Sequence, residues 1–186
     1  MMKSDSAAQS LIVREDSALV VIDVQERLMP VIDNSEAVTA NVVRLLKFAK
    51  IIGLPVILTE QQKLGSTVDE VKTQIPDLRP IAKLTFDCFL CDQFEDMVHR
   101  LRRNTLILTG VETHVCVAQT AVHALAQFTV HVVSDATGSR TVDNWSVGLE
   151  RMRDAGGVIT STEMAIFELL QQAGTDEFRA VLPLVK

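Results

Sequence analysis

Short unbroken apolar runs alternate along the chain with segments whose apolar residues recur every three or four positions. The runs are ALVVID (18–23), PVILTE (55–60), IAKL (81–84), TLILTG (105–110), TVHVVSDATG (129–138) and GVIT (157–160). Apolar runs of this length without polar alternation are typical of strands buried on both faces. Since helical patterns lie between them, the order indicates βαβ units and a parallel sheet.

The helical pattern after the first run has the clearest signals at its start and end. DNSE (33–36) has the form of a capping box, and Gly53 with Pro55 marks the end. One apolar stripe lies between them, formed by Val38, Val42, Leu45, Ala49 and Ile52. We therefore predict one three-layer α/β/α domain over residues 1–186, with a six-stranded parallel sheet and a short N-terminal extension, 1–16. The commonest doubly wound strand order is 3-2-1-4-5-6, which places the first and fourth strands side by side.

Candidate chemical groups lie where these strands end. Asp23 closes the first run, Lys83 lies near the end of the third, and Cys116 follows the fourth after a short polar break. Ligand sites of open α/β sheets lie beyond the carboxyl ends of the strands, so these three side chains are expected to converge.

Cys116 is the candidate nucleophile. If Thr113 caps the helix that begins near Val115, the cysteine lies in the first helical turn, where the helix dipole and a nearby lysine favour a thiolate. Asp23 then supplies an acid and base, and backbone N–H groups at the helix start supply an oxyanion site. The alternative is that Cys116 is a small buried residue that packs in an alanine-rich helix.

Composition limits the classes of partner and the cellular compartment that are expected. The net charge is −6 and no basic cluster is present, which argues against nucleic acid. No apolar run is long enough to span a membrane, and the N-terminus lacks a signal-peptide core, so a cytoplasmic protein is expected. Three cysteines cannot all pair within one chain, which fits a reducing compartment. Cys88 and Cys91 have C-x-x-C spacing, but their apolar neighbours favour packing over a redox or metal site.

Three segments together resemble a known family. ALVVIDVQERL, IAKLTF and LTGVETHVCVAQTA, in this order, resemble the isochorismatase-like cysteine hydrolases, and the similarity extends over about residues 17–171. TEQ (59–61) is similar to the isochorismatase-domain-containing subgroup. The resemblance implies a six-stranded parallel sheet flanked by helices and an Asp-Lys-Cys triad formed by Asp23, Lys83 and Cys116.

The resemblance also implies roles for residues around the triad. A cis peptide is expected at Val111–Glu112, where it would turn the backbone amides of Glu112 and Cys116 toward an oxyanion. Gln25 and Val111 are expected to line the substrate pocket. Asp135 matches an aspartate that is expected to be structural.

Departures from the family pattern change the expected activity. The metal-binding nicotinamidases carry an Asp–His–His site after the second strand, whereas TEQQKLGSTVDE has no histidine there. We therefore expect no metal and no cofactor. Isochorismatases themselves replace the cysteine by a small residue, so the presence of Cys116 argues against isochorismate as the substrate.

The sequence thus leads to one principal hypothesis and two alternatives. The principal hypothesis is a metal-independent cysteine hydrolase that cleaves a small amide or related C–N bond, in a chain that forms homo-oligomers. The alternatives are a non-catalytic domain that binds a small molecule or a partner, and a redox protein that uses Cys88 and Cys91.

Overall fold

The computed structural model describes residues 11–186, which form a single six-stranded sheet covered by helices on both faces. The strands are Ser17–Ile22 (β1), Val56–Gln61 (β2), Ile81–Lys83 (β3), Thr105–Val111 (β4), Thr129–Gly138 (β5) and Val158–Thr160 (β6). They all pair in parallel, in the order β3-β2-β1-β4-β5-β6. The predicted fold class is therefore confirmed, and the strand order is the one commonest among doubly wound sheets.

Within residues 11–186, seven α-helices connect or follow the strands. They are Ser35–Ile52 (α1), Asp69–Lys72 (α2), Asp92–Leu101 (α3), Ala118–Ala124 (α4), Val142–Asp154 (α5), Thr162–Leu170 (α6) and Asp176–Val185 (α7). The buried side chains of α1, α6 and α7 belong to the apolar core on one face of the sheet. Those of α3, α4 and α5 belong to the core on the other face, which gives the three predicted layers.

The central strand β1 shows why its sequence is continuously apolar. All six of its residues are buried. Leu19 and Val21 point into the α1 core, whereas Ala18, Val20 and Ile22 point into the α4 core. Each large aliphatic side chain buried in this way contributes about 1.5–3 kcal/mol, so two cores stabilise the strand that carries Asp23.

The start of α1 differs from the predicted capping box. The helix begins at Ser35, and Asn34 precedes it in the left-handed region with no capping hydrogen bond from its side chain. The backbone N–H of Asp33 instead donates to the carbonyl of Ser139, at 2.8 Å. This contact connects Asp33 to the loop after β5. The N-cap is Asn34, one residue later than the predicted capping box requires. The predicted stripe on α1 is buried throughout.

The predicted N-terminal extension is partly attached to the domain. Ile12 is buried, its N–H donates to Glu168 of α6 at 2.9 Å, and Arg14 pairs with Glu177 of α7. Residues 1–10 of the extension lie outside the described residues. From residue 11 onward, none of the helices has the length and apolar character needed to cross a lipid bilayer.

Candidate active site

The site forms where the carboxyl ends of β1 and β4 meet. Gly110 pairs with Ile22 and has a φ of +119°. A Cβ atom at this position would lie 2.0 Å from the carbonyl oxygen of Ile22, so only glycine allows the two strands to approach this closely. The close approach carries the segment after β4 over the end of β1, where Asp23 follows.

Asp23 and Lys83 form a fully buried ion pair. Lys83 Nζ donates to Asp23 Oδ2 at 2.6 Å, and neither side chain is exposed. The hydroxyl of Thr59, from the adjacent strand β2, donates to Asp23 Oδ1 at 2.7 Å. Asp23 itself has a φ of +55°, a conformation that aspartate tolerates better than most residues and that turns the chain out of the strand. Both carboxylate oxygens are thus held in fixed positions at the edge of the sheet.

Every donor of the Lys83 ammonium group has an acceptor. Besides Asp23, it donates to Gln61 Oε1 at 2.9 Å and to the carbonyl of Thr85 at 3.3 Å. Burial acts to lower the pKa of Lys83, but the charge of Asp23, with smaller contributions from the two nearby cysteines, outweighs burial and raises it. Lys83 is therefore a permanent cation that orients Asp23.

Cys116 lies on a π-helical turn, Thr113–Val117, which leads into α4. The turn begins at Thr113 and its N-cap is Glu112, so the predicted Thr113 cap is wrong. The Thr113 hydroxyl is buried and has no hydrogen-bond partner within residues 11–186. α5 packs closely against this turn, because a Cβ on Gly148 would lie 3.0 Å from the backbone of His114. The N–H groups of Val115 and Val117 both donate to the carbonyl of Glu112.

The surroundings of Cys116 favour the neutral thiol over the expected thiolate. Burial raises the pKa of this thiol, and the charge of Asp23 and its hydrogen bond to the thiol raise it further. Lys83 opposes the shift but does not reverse it, since its charge is already paired with Asp23. The arrangement therefore holds a neutral nucleophile beside a carboxylate that can accept its proton.

The expected cis peptide at Val111–Glu112 is absent, because every peptide bond within residues 11–186 is trans. The chain changes direction instead at Glu112, which has φ 59° and ψ 58° in the left-handed region. This conformation costs a residue other than glycine about 1–2 kcal/mol, and such residues concentrate at functional sites.

A cavity of about 310 Å³ opens above the thiol. It is lined by Asp23, Leu28, Gln61, Leu64, Phe86, Glu112, Val115, Cys116 and Arg140. Gln25 and Val111, the two residues expected to line the pocket, do not line this cavity. The Gln25 amide is engaged with the backbone of Gln61 and Gly65, and Val111 packs into the α1 core.

The side chain of Glu112 faces this cavity. Its Oε1 accepts from Arg140 Nε at 3.1 Å, and its Oε2 lies 3.6 Å from His114 Nε2. His114 Nδ1 also lies 3.0 Å from the hydroxyl of Ser139. His114 is therefore a neighbour of the site that lies close to Glu112 and Ser139.

Sequence reasoning missed three polar side chains of the site, Thr59, Gln61 and Arg140. Thr59 and Gln61 lie in TEQ, a segment that served only to assign a subgroup, although both lie at the end of a strand adjacent to β1. Arg140 follows β5 in an ordinary polar loop. No pattern of spacing indicated that its side chain turns back toward Glu112.

The other candidate residues lie outside the cavity. Cys88 and Cys91 are unlinked, and Phe89 between them packs edge-on against Phe94, with ring centroids 5.2 Å apart. Burial raises the pKa of Cys88 to about 12. Asp135 accepts hydrogen bonds from the N–H and hydroxyl of Thr162, where α6 begins. The part of the chain that the structure describes contains no cluster of three or more His, Cys, Asp or Glu side chains suited to a metal ion.

Known proteins show the same fold and sequence pattern. A family model described as the isochorismatase domain matches residues 17–164. The secreted isochorismatase effector Isc1 of Phytophthora sojae is 36% identical over 182 residues, which cover 94% of this chain and 87% of the effector.

Two solved structures are similar over nearly the whole chain. The MAR1 ribonuclease of Caenorhabditis elegans has a TM-score of 0.88 at 32% identity and covers 95% of this chain and 92% of its own. The Escherichia coli YcaC gene product, described as an octameric hydrolase of unknown specificity, has a TM-score of 0.88 at 27% identity. That match covers 95% of this chain and 91% of the octameric protein's chain.

Proposed function

The chain belongs to the isochorismatase family, and from that premise we propose that it is a metal-independent cysteine hydrolase that cleaves a small amide or related C–N bond. The observation that carries the proposal is a thiol, a carboxylate and an ammonium group buried together beside one cavity. Asp23 and Cys116 line that cavity, and Lys83 holds Asp23 from behind.

The first half of the reaction forms a thioester. The Cys116 sulfur attacks the carbonyl carbon of the substrate while the thiol proton passes to the Asp23 carboxylate. Asp23 then gives that proton to the leaving nitrogen, the C–N bond breaks, and an amine or ammonia departs. Because the resting thiol is protonated, the proton transfer has to accompany the attack rather than precede it.

The second half releases the acid. Water enters the cavity, Asp23 accepts one of its protons, and the hydroxyl oxygen attacks the thioester carbonyl. The C–S bond breaks, the proton returns to the Cys116 sulfur, and the product leaves as a carboxylic acid. Lys83 remains an ammonium group throughout and keeps Asp23 in place, since all three of its donors already have acceptors.

The oxyanion that forms in both steps needs hydrogen-bond donors. We assign this role to the N–H groups of Cys116 and Glu112, which lie at the start of the helical turn beside the thiol. One such donor is worth about 10²–10³ in kcat when it is placed where the negative charge develops. The left-handed turn at Glu112 is a strained feature that would position these amides.

The test is a screen of small carboxamides, ureas and carbamoyl compounds for release of ammonia or amine, run on the wild type and on Cys116→Ala. We expect turnover by the wild type, no turnover by Cys116→Ala with an unchanged unfolding midpoint, and no effect of a metal chelator. Full activity of Cys116→Ala on a confirmed substrate would refute the mechanism. Loss of wild-type activity on chelation would refute metal independence.

The alternatives from the sequence predict different outcomes. A non-catalytic binding domain would bind compounds from the screen without consuming them. A redox protein would form a Cys88–Cys91 disulfide under mild oxidation, whereas we expect the pair to remain unlinked because Cys88 is fully buried. Cleavage of RNA is a poor fit to an acidic chain whose cavity is largely apolar, and an RNA arm of the screen tests this.

We further propose that the chain forms homo-oligomers, since the similar Escherichia coli protein is octameric. Phe86, which lines the cavity, and Leu90 are both more than half exposed, and a neighbouring copy could cover them. Light scattering, which measures the molar mass of the protein in solution, tests whether several copies associate. The cytoplasmic location stays a prediction, and because the Phytophthora relative is secreted, cell fractionation is the direct test.

A further inference from the structure

The Glu112–Arg140 pair leaves both partners with free hydrogen-bonding capacity on the cavity. The Glu112 side chain is only 10% exposed, and Arg140 binds one of its oxygens through Nε alone. The second oxygen, Oε2, is 3.6 Å from His114 Nε2, which is longer than a hydrogen bond. The two terminal nitrogens of Arg140 donate to no acceptor within residues 11–186. Both residues line the cavity and the Arg140 side chain is 56% exposed, so a carboxylate oxygen and N–H donors remain available to a ligand there.

The charges around the cavity cancel. Lys83 compensates Asp23, Arg140 compensates Glu112, and the Cys116 thiol is neutral at rest because its pKa is raised. Leu28, Leu64, Phe86 and Val115 supply the apolar part of the wall. A bound carboxylate or ammonium group would lose its hydration and gain no net opposite charge, so an uncharged group is favoured.

We propose that Glu112 and Arg140 recognise the non-reacting end of the substrate, and that this end is an uncharged group with a carbonyl oxygen beside an N–H, such as a carboxamide or ureido group. The Arg140 terminal N–H groups donate to its carbonyl oxygen, and its N–H donates to Glu112 Oε2. The inference rests on the proposed function, which places the other end of the same molecule at Cys116. It also gives Glu112, a long acidic residue on a strained turn, a specific role.

The test compares three ligands of the same length that differ only in one end group. They are succinamide, succinamate and 4-aminobutanamide, which carry a carboxamide, a carboxylate and an ammonium group at the variable end. Dissociation constants are measured by NMR titration in the Cys116→Ala background, so that no ligand is consumed. We expect succinamide to bind about tenfold more tightly than either ion, the usual effect of one hydrogen bond to a charged group.

Single substitutions in the pair should switch the preference in opposite directions. Glu112→Gln leaves Arg140 uncompensated, so succinamate should become the tightest ligand. Arg140→Gln leaves Glu112 uncompensated, so 4-aminobutanamide should become the tightest. The double variant Glu112→Gln/Arg140→Gln is the matched control, because it is again neutral and should prefer succinamide. Equal unfolding midpoints would show that the fold is intact in each protein.

The same order of affinities in all four proteins would overturn the inference. It would also be overturned if none of the three ligands showed saturable binding. Because the titrations need no nucleophile, their result is independent of the hydrolase mechanism. If Cys116 proves to be the nucleophile and the preferences do not switch, only the role of Glu112 and Arg140 fails. If the preferences switch and no hydrolysis is found, the recognition site stands without the proposed reaction.

Discussion

Replacing Lys83 by methionine should destabilise the protein far more than an ordinary lysine substitution. Methionine has a similar length and fits an apolar environment, but it leaves the Asp23 carboxylate fully buried without its counter-charge. The Thr59 hydroxyl and the Cys116 thiol, both neutral, remain as side-chain donors. Removing one partner of a buried ion pair costs about 3–5 kcal/mol, because the remaining charge has lost both water and its counter-charge.

The expected loss is large enough to measure directly. A chain of this size shifts its melting temperature by about 2–4 °C for each kcal/mol, so Lys83→Met should melt roughly 6–20 °C below the wild type. Urea unfolding should show a lower midpoint with an unchanged slope. The matched control is Arg100→Met, which removes an exposed pair with Asp96 at 3.7 Å and should change stability by less than about 1 kcal/mol.

A double variant separates lost charge from lost packing. Asp23→Asn/Lys83→Met contains no buried charge at this position, so it should be more stable than Lys83→Met alone. The reasoning would be refuted if Lys83→Met unfolded at the wild-type urea midpoint, or if the double variant were no more stable than Lys83→Met. Either result would mean that the ion pair is not buried in solution.

Two further predictions follow from the pKa shifts. Because Asp23 raises the pKa of the Cys116 thiol and Lys83 lowers it, Asp23→Asn should move iodoacetamide labelling of Cys116 to lower pH and Lys83→Met to higher pH. Peptide mass spectrometry measures the rates, and shifts in the same direction would contradict the assignment. Burial lowers the pKa of His131, against an opposing effect of Glu168, so the unfolded chain binds the proton more readily. Stability should therefore be complete above about pH 6.5 and fall below it, and His131→Leu should abolish this fall in urea unfolding at about pH 7.5 and about pH 5.5. A parallel fall in both proteins would contradict the second prediction.

The positions of Asp23 and Lys83 were predictable because each lies near the carboxyl end of a strand. In a parallel sheet these ends share one edge, so residues 60 positions apart in sequence become neighbours without any knowledge of their side-chain rotamers. The alternation of strands and helices predicted the parallel pairing, but it did not determine the strand order. The ion pair follows from that topology, because Asp23 and Lys83 carry opposite charges and lie at the same edge of the sheet.

The state of Cys116 could not be predicted because it depends on a balance of distances. Proximity to Lys83 suggested a thiolate, but burial and the closer effect of Asp23 outweigh it. The start of the helix was misassigned for a similar reason. The turn at Thr113 packs closely against Gly148 of α5, a tertiary contact that local sequence does not reveal.

The cavity wall was predicted least well. Gln25 was assigned to substrate, yet its amide holds the loop after β2, and Arg140 was not identified at all. Both outcomes depend on the paths of loops, which carry no periodic pattern. Glu112 was predicted only through its backbone, whereas its side chain is the part that faces the cavity.

The most direct test of the central claim is to trap the acyl group on the enzyme. A substrate from the carboxamide screen is mixed with the wild type, the reaction is stopped with acid during turnover, and the peptide containing Cys116 is weighed by mass spectrometry. The account predicts that this peptide carries the mass of the acyl group, which is absent from Cys116→Ala and from the peptides containing Cys88 and Cys91. Continued turnover with no acyl group on Cys116, together with full activity of Cys116→Ala, would contradict it.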